Sequence, residues 1–216
     1  MRIVPISKFA SMAYCRRQIY LTLIKGIKPV RREIFHGIEQ HNLSGKREAK
    51  ISPHTIINKA SEPSSSLNFP FESLLTSFIY DSFLFIGKPD RVIKKCSKIY
   101  VEEEKYVKHS YGIFFESWKL QLLAYCHSLS EGETVFEYGN LRERIDFPED
   151  EFLYYVTERD LETGETIRVY EPKKYNFEEL EGSLREFTAI MRSDTPPEVS
   201  NTSRCTNCSL SRACYL

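Results

Sequence analysis

The sequence predicts an α/β (α+β) fold in which strands and helices alternate along the chain. Residues 74–106 have the alternating apolar and polar pattern of strands, whereas residues 113–129 have apolar side chains at helical spacing. Residues 6–23 also have helical spacing. The 41% of hydrophobic residues, with 13 Tyr and 14 Phe, are sufficient for a sizeable core that contains strands.

The N-terminal third is predicted to hold two helices and a loop. The helix over residues 6–23 ends before Gly26 and Pro29, and a second helix is predicted over residues 32–50. Residues 52–70 contain several prolines and a run of serines. We therefore expect an exposed loop there.

The rest of the chain is predicted to begin with an antiparallel meander of three strands, at residues 74–80, 83–94 and 98–106. Pro89 interrupts the middle strand, which favours a bulge or an edge. The helix over residues 113–129 and strands at 134–142, 151–157 and 166–170 follow, and Asn176 caps a last helix that runs to Met191. The tail has little apolar content apart from cysteines, so we expect a main domain, residues 1–195, and a small segment, residues 196–216.

The composition excludes some classes of protein. No apolar run is long enough to cross a membrane, and the first residues do not form a signal peptide, so a cytoplasmic location is expected. The net charge is zero, but residues 16–50 carry nine Lys and Arg against three Glu. Such a basic segment suits binding to a polyanion, although ordinary scatter of charge explains it equally well.

The stretch from Ile99 to Lys105 contains the first candidate site. On a strand, Glu103 and Lys105 point to the same face, and the predicted hairpin places Asp90 beside them. A glutamate–lysine pair alone is typical of a solvated surface. Two close carboxylates favour a divalent cation such as Mg²⁺ or Mn²⁺, and a lysine beside it can orient a water and stabilise charge on a phosphate. The set therefore suits phosphodiester hydrolysis.

Four of the six cysteines indicate a second site. Cys205, Cys208 and Cys214 lie in the short tail, and Cys15 is the candidate for the fourth ligand. Reduced thiols in the cytosol favour metal over disulfides, and their spacing fits zinc and a [4Fe–4S] cluster equally. A site that joins both ends of the chain would be structural, with a redox role as the alternative. The other two are interpreted as a turn thiol (Cys96) and a helix-core residue (Cys126).

These residues resemble a known signature. Pro89-Asp90, followed by Glu103-x-Lys105, is similar to the motif of PD-(D/E)XK nucleases. Gln121-x-x-x-Tyr125 and Gly37-x-x-x-His41 resemble the additional motifs of RecB-like members. One cysteine near the N-terminus and three near the C-terminus, in a chain of this length, resemble the CRISPR-associated protein four family more than the large AddB-type nucleases.

The resemblance implies a restriction-endonuclease-like core, with a central mixed β-sheet flanked by helices and a small iron–sulfur subdomain. It implies that His41, Asp90, Glu103 and the backbone carbonyl of Glu104 bind Mn²⁺ or Mg²⁺. It further implies that Lys105 helps to activate water, that Gln121 and Tyr125 orient the lysine or the DNA, and that the cluster is [4Fe–4S], held by Cys15, Cys205, Cys208 and Cys214.

The activity implied is cleavage of single-stranded DNA, mainly as an exonuclease from the 5′ end and with some endonuclease activity, before its capture into CRISPR arrays. The integrase proteins are the implied partners. Three alternatives stay open: a nuclease of DNA repair or a mobile element, a scaffold with a vestigial site, and a zinc protein without iron. Homo-oligomerisation is also open. The candidates for contacts with the DNA backbone are Arg16, Arg17, Arg31 and Arg32.

Overall fold

The computed structural model describes residues 1–28, 52–60, 62, 65–70, 72–110, 112–147, 150–199, 205 and 208–214. The strands of these residues form two mixed sheets. In chain order they are β1 (Arg2–Pro5), β2 (Ser66–Asn68), β3 (Leu74–Tyr80), β4 (Phe83–Gly87), β5 (Arg91–Lys95), β6 (Lys98–Val107), β7 (Glu133–Tyr138), β8 (Leu141–Arg144), β9 (Glu151–Asp160), β10 (Thr166–Val169) and β11 (Lys173–Lys174).

Each sheet contains one parallel pair of strands. The first has the order β1-β4-β3-β7-β8, with β1 parallel to β4. The second has the order β10-β9-β6-β5-β2, with β6 parallel to β9 and with β11 paired to β9. The predicted α/β class is confirmed, with the strands divided between two mixed sheets.

The predicted middle strand of the meander is in fact two strands in different sheets. Lys88, Pro89 and Asp90 separate β4 from β5. Proline has no N–H group for the ladder of hydrogen bonds, so a break at this point is physically reasonable. Because Arg91 pairs with Glu102 on β6, Asp90 lies at the start of β5 and next to Glu103. The break thus places Asp90 at the junction of the two sheets.

Helices pack against both sheets. The longest are α4 (Glu116–Glu131) and α5 (Phe177–Arg192), and α4 contacts strands of each sheet: β3 and β7 in the first, β6 and β9 in the second. Asn176 caps α5, as predicted, since its Oδ1 accepts a hydrogen bond of 3.0 Å from the N–H of Glu178. The shorter helices are α1 (Ile6–Ala10), α2 (Arg16–Ile19), α3 (Pro53–Ala60) and α6 (Ser211–Cys214).

Aromatic side chains join α1, the first sheet and α5. The ring of Phe9 meets Phe85 at 5.2 Å and Phe187 at 5.4 Å, both edge to face, and Phe78 stacks on Phe85 at 4.8 Å. Phe9, Phe85 and Phe187 are fully buried. Burial of each such side chain stabilises the fold by about 1.5–3 kcal/mol. This cluster therefore fixes α1 on β4, close to the end of β4 that leads to Asp90.

Two predictions about the N-terminal third need correction. The predicted helix over residues 6–23 is divided, because Cys15 is extended (φ −162°, ψ 116°) between α1 with its short 3₁₀ turn and α2. The expected loop over residues 52–70 instead contains α3 and β2, where Ile56 and Leu67 are buried. The burial of these apolar side chains in the core outweighs the preference of the neighbouring prolines and serines for turns. The helix predicted over residues 32–50 lies outside the described residues.

The remaining cysteines behave as predicted: Cys96 is exposed in the turn between β5 and β6, and Cys126 is fully buried in α4. None of the described helices is long and apolar enough to cross a membrane. The tail contacts the rest of the chain through Leu210, which is buried. The boundary predicted at residue 195 stays a prediction.

Candidate active site

Strand β6 presents Glu103 and Lys105 on the face that meets α4. The Glu103 side chain is 5% exposed, and Lys105 Nζ donates a hydrogen bond of 2.8 Å to its Oε1 atom. Alternation along the strand places both residues on one face, as the sequence predicts. Burial distinguishes this pair from a solvated surface pair, because both charges interact where water screens them little.

Helix α4 adds two residues to the same face. Gln121 Nε2 donates to Glu103 Oε1 over 2.6 Å, and Lys105 Nζ donates to Gln121 Oε1 over 3.3 Å. Tyr125 lies one turn later, and its hydroxyl is 3.5 Å from Gln121 Nε2. The structure therefore brings together Glu103, Lys105, Gln121 and Tyr125, which the motifs predicted would share one site.

Asp90 approaches the site from the start of β5. It is 5% exposed, and its Oδ2 atom accepts a hydrogen bond of 2.7 Å from the N–H of Glu104. Burial raises the pKa of Asp90 well above its usual range, and the nearby carboxylate of Glu103 raises it further, against a smaller opposing effect of Lys105. Two buried carboxylates thus disfavour each other's charge.

This arrangement fits a divalent cation. The second oxygen of Glu103, Oε2, is buried and has no hydrogen-bond partner among the described residues. Carboxylate oxygens are the ligands that Mg²⁺ and Mn²⁺ prefer, and a cation would relieve the repulsion between Asp90 and Glu103. His41, the third predicted ligand, lies outside the described residues, and the role of the Glu104 carbonyl stays a prediction. No group of three metal-binding side chains is found in the described part of the chain.

The opposite face of β6 is a network of buried charges. Glu104 is fully buried and accepts a hydrogen bond of 2.7 Å from Arg159 Nη2 on β9. Glu102 accepts one of 2.9 Å from the Tyr155 hydroxyl, and Arg91 Nε lies 3.5 Å from its carboxylate. In the sequence these two glutamates simply flank Glu103. In the structure their contacts hold β6 on the face opposite to Glu103. They therefore also fix the position of the face that carries Glu103.

A glycine that sequence reasoning missed lies directly under Tyr125. A Cβ atom on Gly87 would be 2.9 Å from Tyr125 Cε1 and 3.1 Å from its hydroxyl oxygen. Real Cβ atoms do not approach a ring that closely. Gly87 ends β4, and the only signal in the sequence was its place directly before the break at Lys88-Pro89. The glycine lets Tyr125 pack against the strand beside the site.

The thiol of Cys214 lies within electrostatic reach of the other three cysteines of the second predicted site. Burial raises the pKa of the Cys214 thiol, and the thiols of Cys15, Cys208 and Cys205 raise it further, whereas Arg17 lowers it. All four are partly exposed. Cys15 is extended at the start of α2, and Arg17 in that helix donates a hydrogen bond to the Cys214 carbonyl of the tail. The described cysteines do not form a group of three or more metal-binding side chains, so the four-cysteine site stays a prediction.

The arginines predicted to contact DNA have different surroundings. Arg17 donates to the backbone carbonyls of Pro197 (2.9 Å) and Cys214 (2.7 Å), so it joins the N-terminal region to the tail. Arg16 forms an ion pair with Glu186 and is largely exposed. Arg31 and Arg32 lie outside the described residues. Contacts of these side chains with DNA stay predictions.

Comparison with known families decides the identity of this fold. A family model described as the PD-(D/E)XK nuclease superfamily matches residues 23–215, which is most of the chain. The chain belongs to the PD-(D/E)XK nuclease superfamily. Members of this superfamily are nucleases that use divalent metals such as Mg²⁺ or Mn²⁺. The superfamily chemistry agrees with the two buried carboxylates, Asp90 directly before β5 and Glu103 on β6, and with Lys105 on β6.

The other comparisons add little. No curated protein matches this chain significantly. Among solved structures, the chain is similar to the crystal structure of SSO0001, with 12% sequence identity and a TM-score of 0.43 over 99% of this chain and 86% of the other. At this level the similarity carries no argument about function.

Proposed function

We propose that this chain is a metal-dependent nuclease that hydrolyses single-stranded DNA, mainly as an exonuclease from the 5′ end and with some endonuclease activity. The observation that carries the proposal is the convergence of Asp90, Glu103 and Lys105, with one buried oxygen of Glu103 left without a partner. This donor set suits a phosphodiester substrate, since a bound cation and Lys105 can stabilise the negative charge that develops on the phosphate.

Each residue of the site has its own proposed role. Asp90 and Glu103 would hold Mn²⁺ or Mg²⁺, with His41 and the Glu104 carbonyl as the other proposed ligands; the cation, when bound, makes water a better nucleophile and neutralises phosphate charge. Lys105 is held by Glu103 Oε1 and Gln121 Oε1, so its ammonium group stays beside the carboxylates and can orient the attacking water. Gln121 and Tyr125 position Glu103 and Lys105.

Lys105 provides the direct test of this site. We expect Lys105→Ala to lower the rate of cleavage of end-labelled single-stranded DNA with Mn²⁺ by about 10²–10³-fold. The matched control is Lys98→Ala, which removes a lysine from the same strand that is 51% exposed and pairs with Glu151. Equal cleavage by wild type and Lys105→Ala would contradict the site, and blocking either DNA end reveals the polarity.

The biological part of the proposal rests on the four cysteines. We infer that Cys15, Cys205, Cys208 and Cys214 hold a [4Fe–4S] cluster that joins the two ends of the chain, and that the enzyme trims DNA before capture into CRISPR arrays with the integrase proteins as partners. The hydrogen bond from Arg17, two residues after Cys15, to the Cys214 carbonyl supports the first inference, because it joins the N-terminal region to the tail. The cysteine pattern and the family resemblance support the second.

Colour and metal content test the cluster. A preparation made without oxygen should be brown and contain iron and sulfide, and Cys208→Ser should lose the colour. Cys96→Ser is the matched control, since Cys96 is exposed in the turn between β5 and β6 and is not one of the four proposed ligands. A colourless protein that contains zinc would overturn the cluster. Co-purification with integrase proteins tests the partners.

A further inference from the structure

A cavity adjoins the candidate active site and has no role in the chemistry described above. Its volume is about 260 Å³, and Lys105 and Gln121 form one wall. The other walls come from the N-terminal helical region and the first turn of α4. The lining residues there are Ser7, Ala10, Ser11, Tyr14, Gln18, Ser117 and Trp118.

The character of the lining points to a flat, neutral ligand. Tyr14 and Trp118 contribute aromatic side chains, and both are partly exposed. The serines and Gln18 offer hydroxyl and amide groups for hydrogen bonds. Among the described residues that line the cavity, Lys105 is the one cation, and it belongs to the active site. The rest of the cavity therefore offers no positive side chain among the described lining residues that would bind a phosphate group.

The indole of Trp118 is held in place from several sides. The ring of Phe115 meets it edge to face at 4.6 Å, and Phe114 and Tyr170 approach at 6.5 Å and 6.4 Å. Edge-to-face contacts leave the position of the indole well defined. A fixed aromatic side chain loses little freedom when a base stacks on it, which favours binding.

We propose that this cavity binds an unpaired nucleobase of the substrate strand, next to the phosphate that is cleaved. The proposal rests on the proposed nuclease function and deepens it. Lys105 lines both the cavity and the catalytic site, so a base in the cavity and a phosphate at Asp90 and Glu103 belong to neighbouring positions of one strand. A base in a duplex is paired and stacked on both sides, and it would have to leave the stack to enter. The cavity therefore selects single-stranded substrate.

Trp118 itself reports on this site, since it is the single tryptophan of the chain. We would titrate the wild-type protein, in EDTA, with a thymidine oligonucleotide and with an abasic oligonucleotide of the same length and charge. The thymidine strand should quench Trp118 fluorescence, and the abasic strand should bind about 5- to 150-fold more weakly, which is the range for one stacked base. Equal binding and equal quenching by the two strands would overturn the proposal.

Variants of Trp118 give a second test by anisotropy of a labelled single-stranded oligonucleotide in EDTA. Trp118→Phe keeps an aromatic ring and should bind more tightly than Trp118→Leu. Phe177→Leu is the control, because Phe177 is a 37% exposed aromatic residue at the start of α5 and does not line the cavity. Melting curves check that each variant folds. Binding by Trp118→Leu as tight as that of wild type would contradict a stacking role.

The two proposals fail in different ways. If wild type cleaves no DNA with any divalent metal, the nuclease proposal is wrong, yet a preference for thymidine over abasic strands in EDTA would still assign the base site. If wild type cleaves DNA but binds abasic and thymidine strands alike, the nuclease proposal stands and the base site is wrong.

Discussion

Gln121 on α4 donates a hydrogen bond of 2.6 Å to Glu103 on β6. The same oxygen of Glu103, Oε1, accepts a hydrogen bond from Lys105, and this leaves Oε2 as the unpartnered oxygen. Gln121 and Lys105 together therefore determine which oxygen of the carboxylate is free for a cation. The contact also joins the central helix to the strand that carries the site.

We expect Gln121→Ala to weaken metal use rather than folding. Without the amide, Lys105 is the remaining donor to Glu103 Oε1, so the carboxylate is held less firmly, and loss of a group that orients a metal ligand commonly costs about 10–100-fold in affinity or activity. The measurement is the Mn²⁺ concentration that gives half-maximal cleavage. Ser130→Ala, on the same helix, removes a hydrogen bond to the His127 carbonyl and should leave this value unchanged. An unchanged Mn²⁺ requirement in Gln121→Ala would refute the positioning role.

Gly87→Ala should displace Tyr125. The added methyl group would lie 2.9 Å from a ring atom that is buried and has little room to move, so we expect a loss of about 1–3 kcal/mol in the free energy of unfolding. Cleavage should fall as well, since Tyr125 adjoins Gln121. Urea denaturation and cleavage assays measure the two effects.

Gly182→Ala is the matched control for that substitution. Gly182 lies on the exposed side of α5, and a Cβ atom there meets nothing within 4 Å. Alanine should therefore stabilise the helix by about 0.5–1 kcal/mol. We expect the free energy of unfolding to fall in Gly87→Ala and to rise in Gly182→Ala. An unchanged free energy of unfolding in Gly87→Ala would show that Tyr125 moves to make room for the methyl group.

Much of the active site follows from local patterns in the sequence. Alternation predicted that Glu103 and Lys105 share a face, the hairpin predicted Asp90 beside them, and helical spacing placed Gln121 and Tyr125 together. Each of these inferences uses residues within one element or two adjacent strands. Local periodicity is sufficient at that range because neighbouring strands and helical turns have fixed geometry.

Features that depend on distant residues were not predictable in this way. The break at Pro89 was expected to be a bulge or an edge, but which sheet each half joins depends on β1 and β2 as neighbours. The buried ion pair of Glu104 was not predicted because its partner, Arg159, is 55 residues away. The cavity beside Trp118 has walls from three separate regions, which are the N-terminal helical region, β6 and α4. Pairings across such distances are set by packing, which no local pattern encodes.

His127 makes stability depend on pH. Burial lowers the pKa of its imidazole from 6.5 to about 4. The ring packs against Phe78 and Phe177, and its Nδ1 lies 2.9 Å from the Tyr175 hydroxyl. The unfolded chain therefore binds a proton more readily than the folded chain. This contribution to stability is fully present above pH 6.5 and is lost as the pH falls toward 4, by about 2 kcal/mol after allowance for partial exposure.

Urea denaturation between pH 7.5 and 4 measures this effect. His127→Gln keeps a polar group for Tyr175 but does not titrate, so its stability should fall less over the same interval. The difference between the two proteins should develop below pH 6.5. Parallel curves for wild type and His127→Gln would show that other groups cause the dependence.

Arg159→Met should destabilise the protein through Glu104. The substitution leaves a fully buried carboxylate without its 2.7 Å partner, which commonly costs about 3–5 kcal/mol. Arg91 Nη2, 3.9 Å from the same carboxylate, offsets part of that loss, so we expect about 3 kcal/mol. Urea denaturation at neutral pH measures the change.

A double-mutant cycle separates loss of the pair from loss of packing. Glu104→Gln combined with Arg159→Met should be more stable than Arg159→Met alone, because the neutral amide is cheaper to leave buried than a carboxylate. Arg192→Met is the control: its ion pair with Asp81 is at the surface, with the arginine 60% exposed, and should contribute less than about 1 kcal/mol. If Arg159→Met costs no more than Arg192→Met, the network behind β6 does not stabilise the strand that carries Glu103, and the position of that carboxylate depends on Gln121 and Lys105 alone.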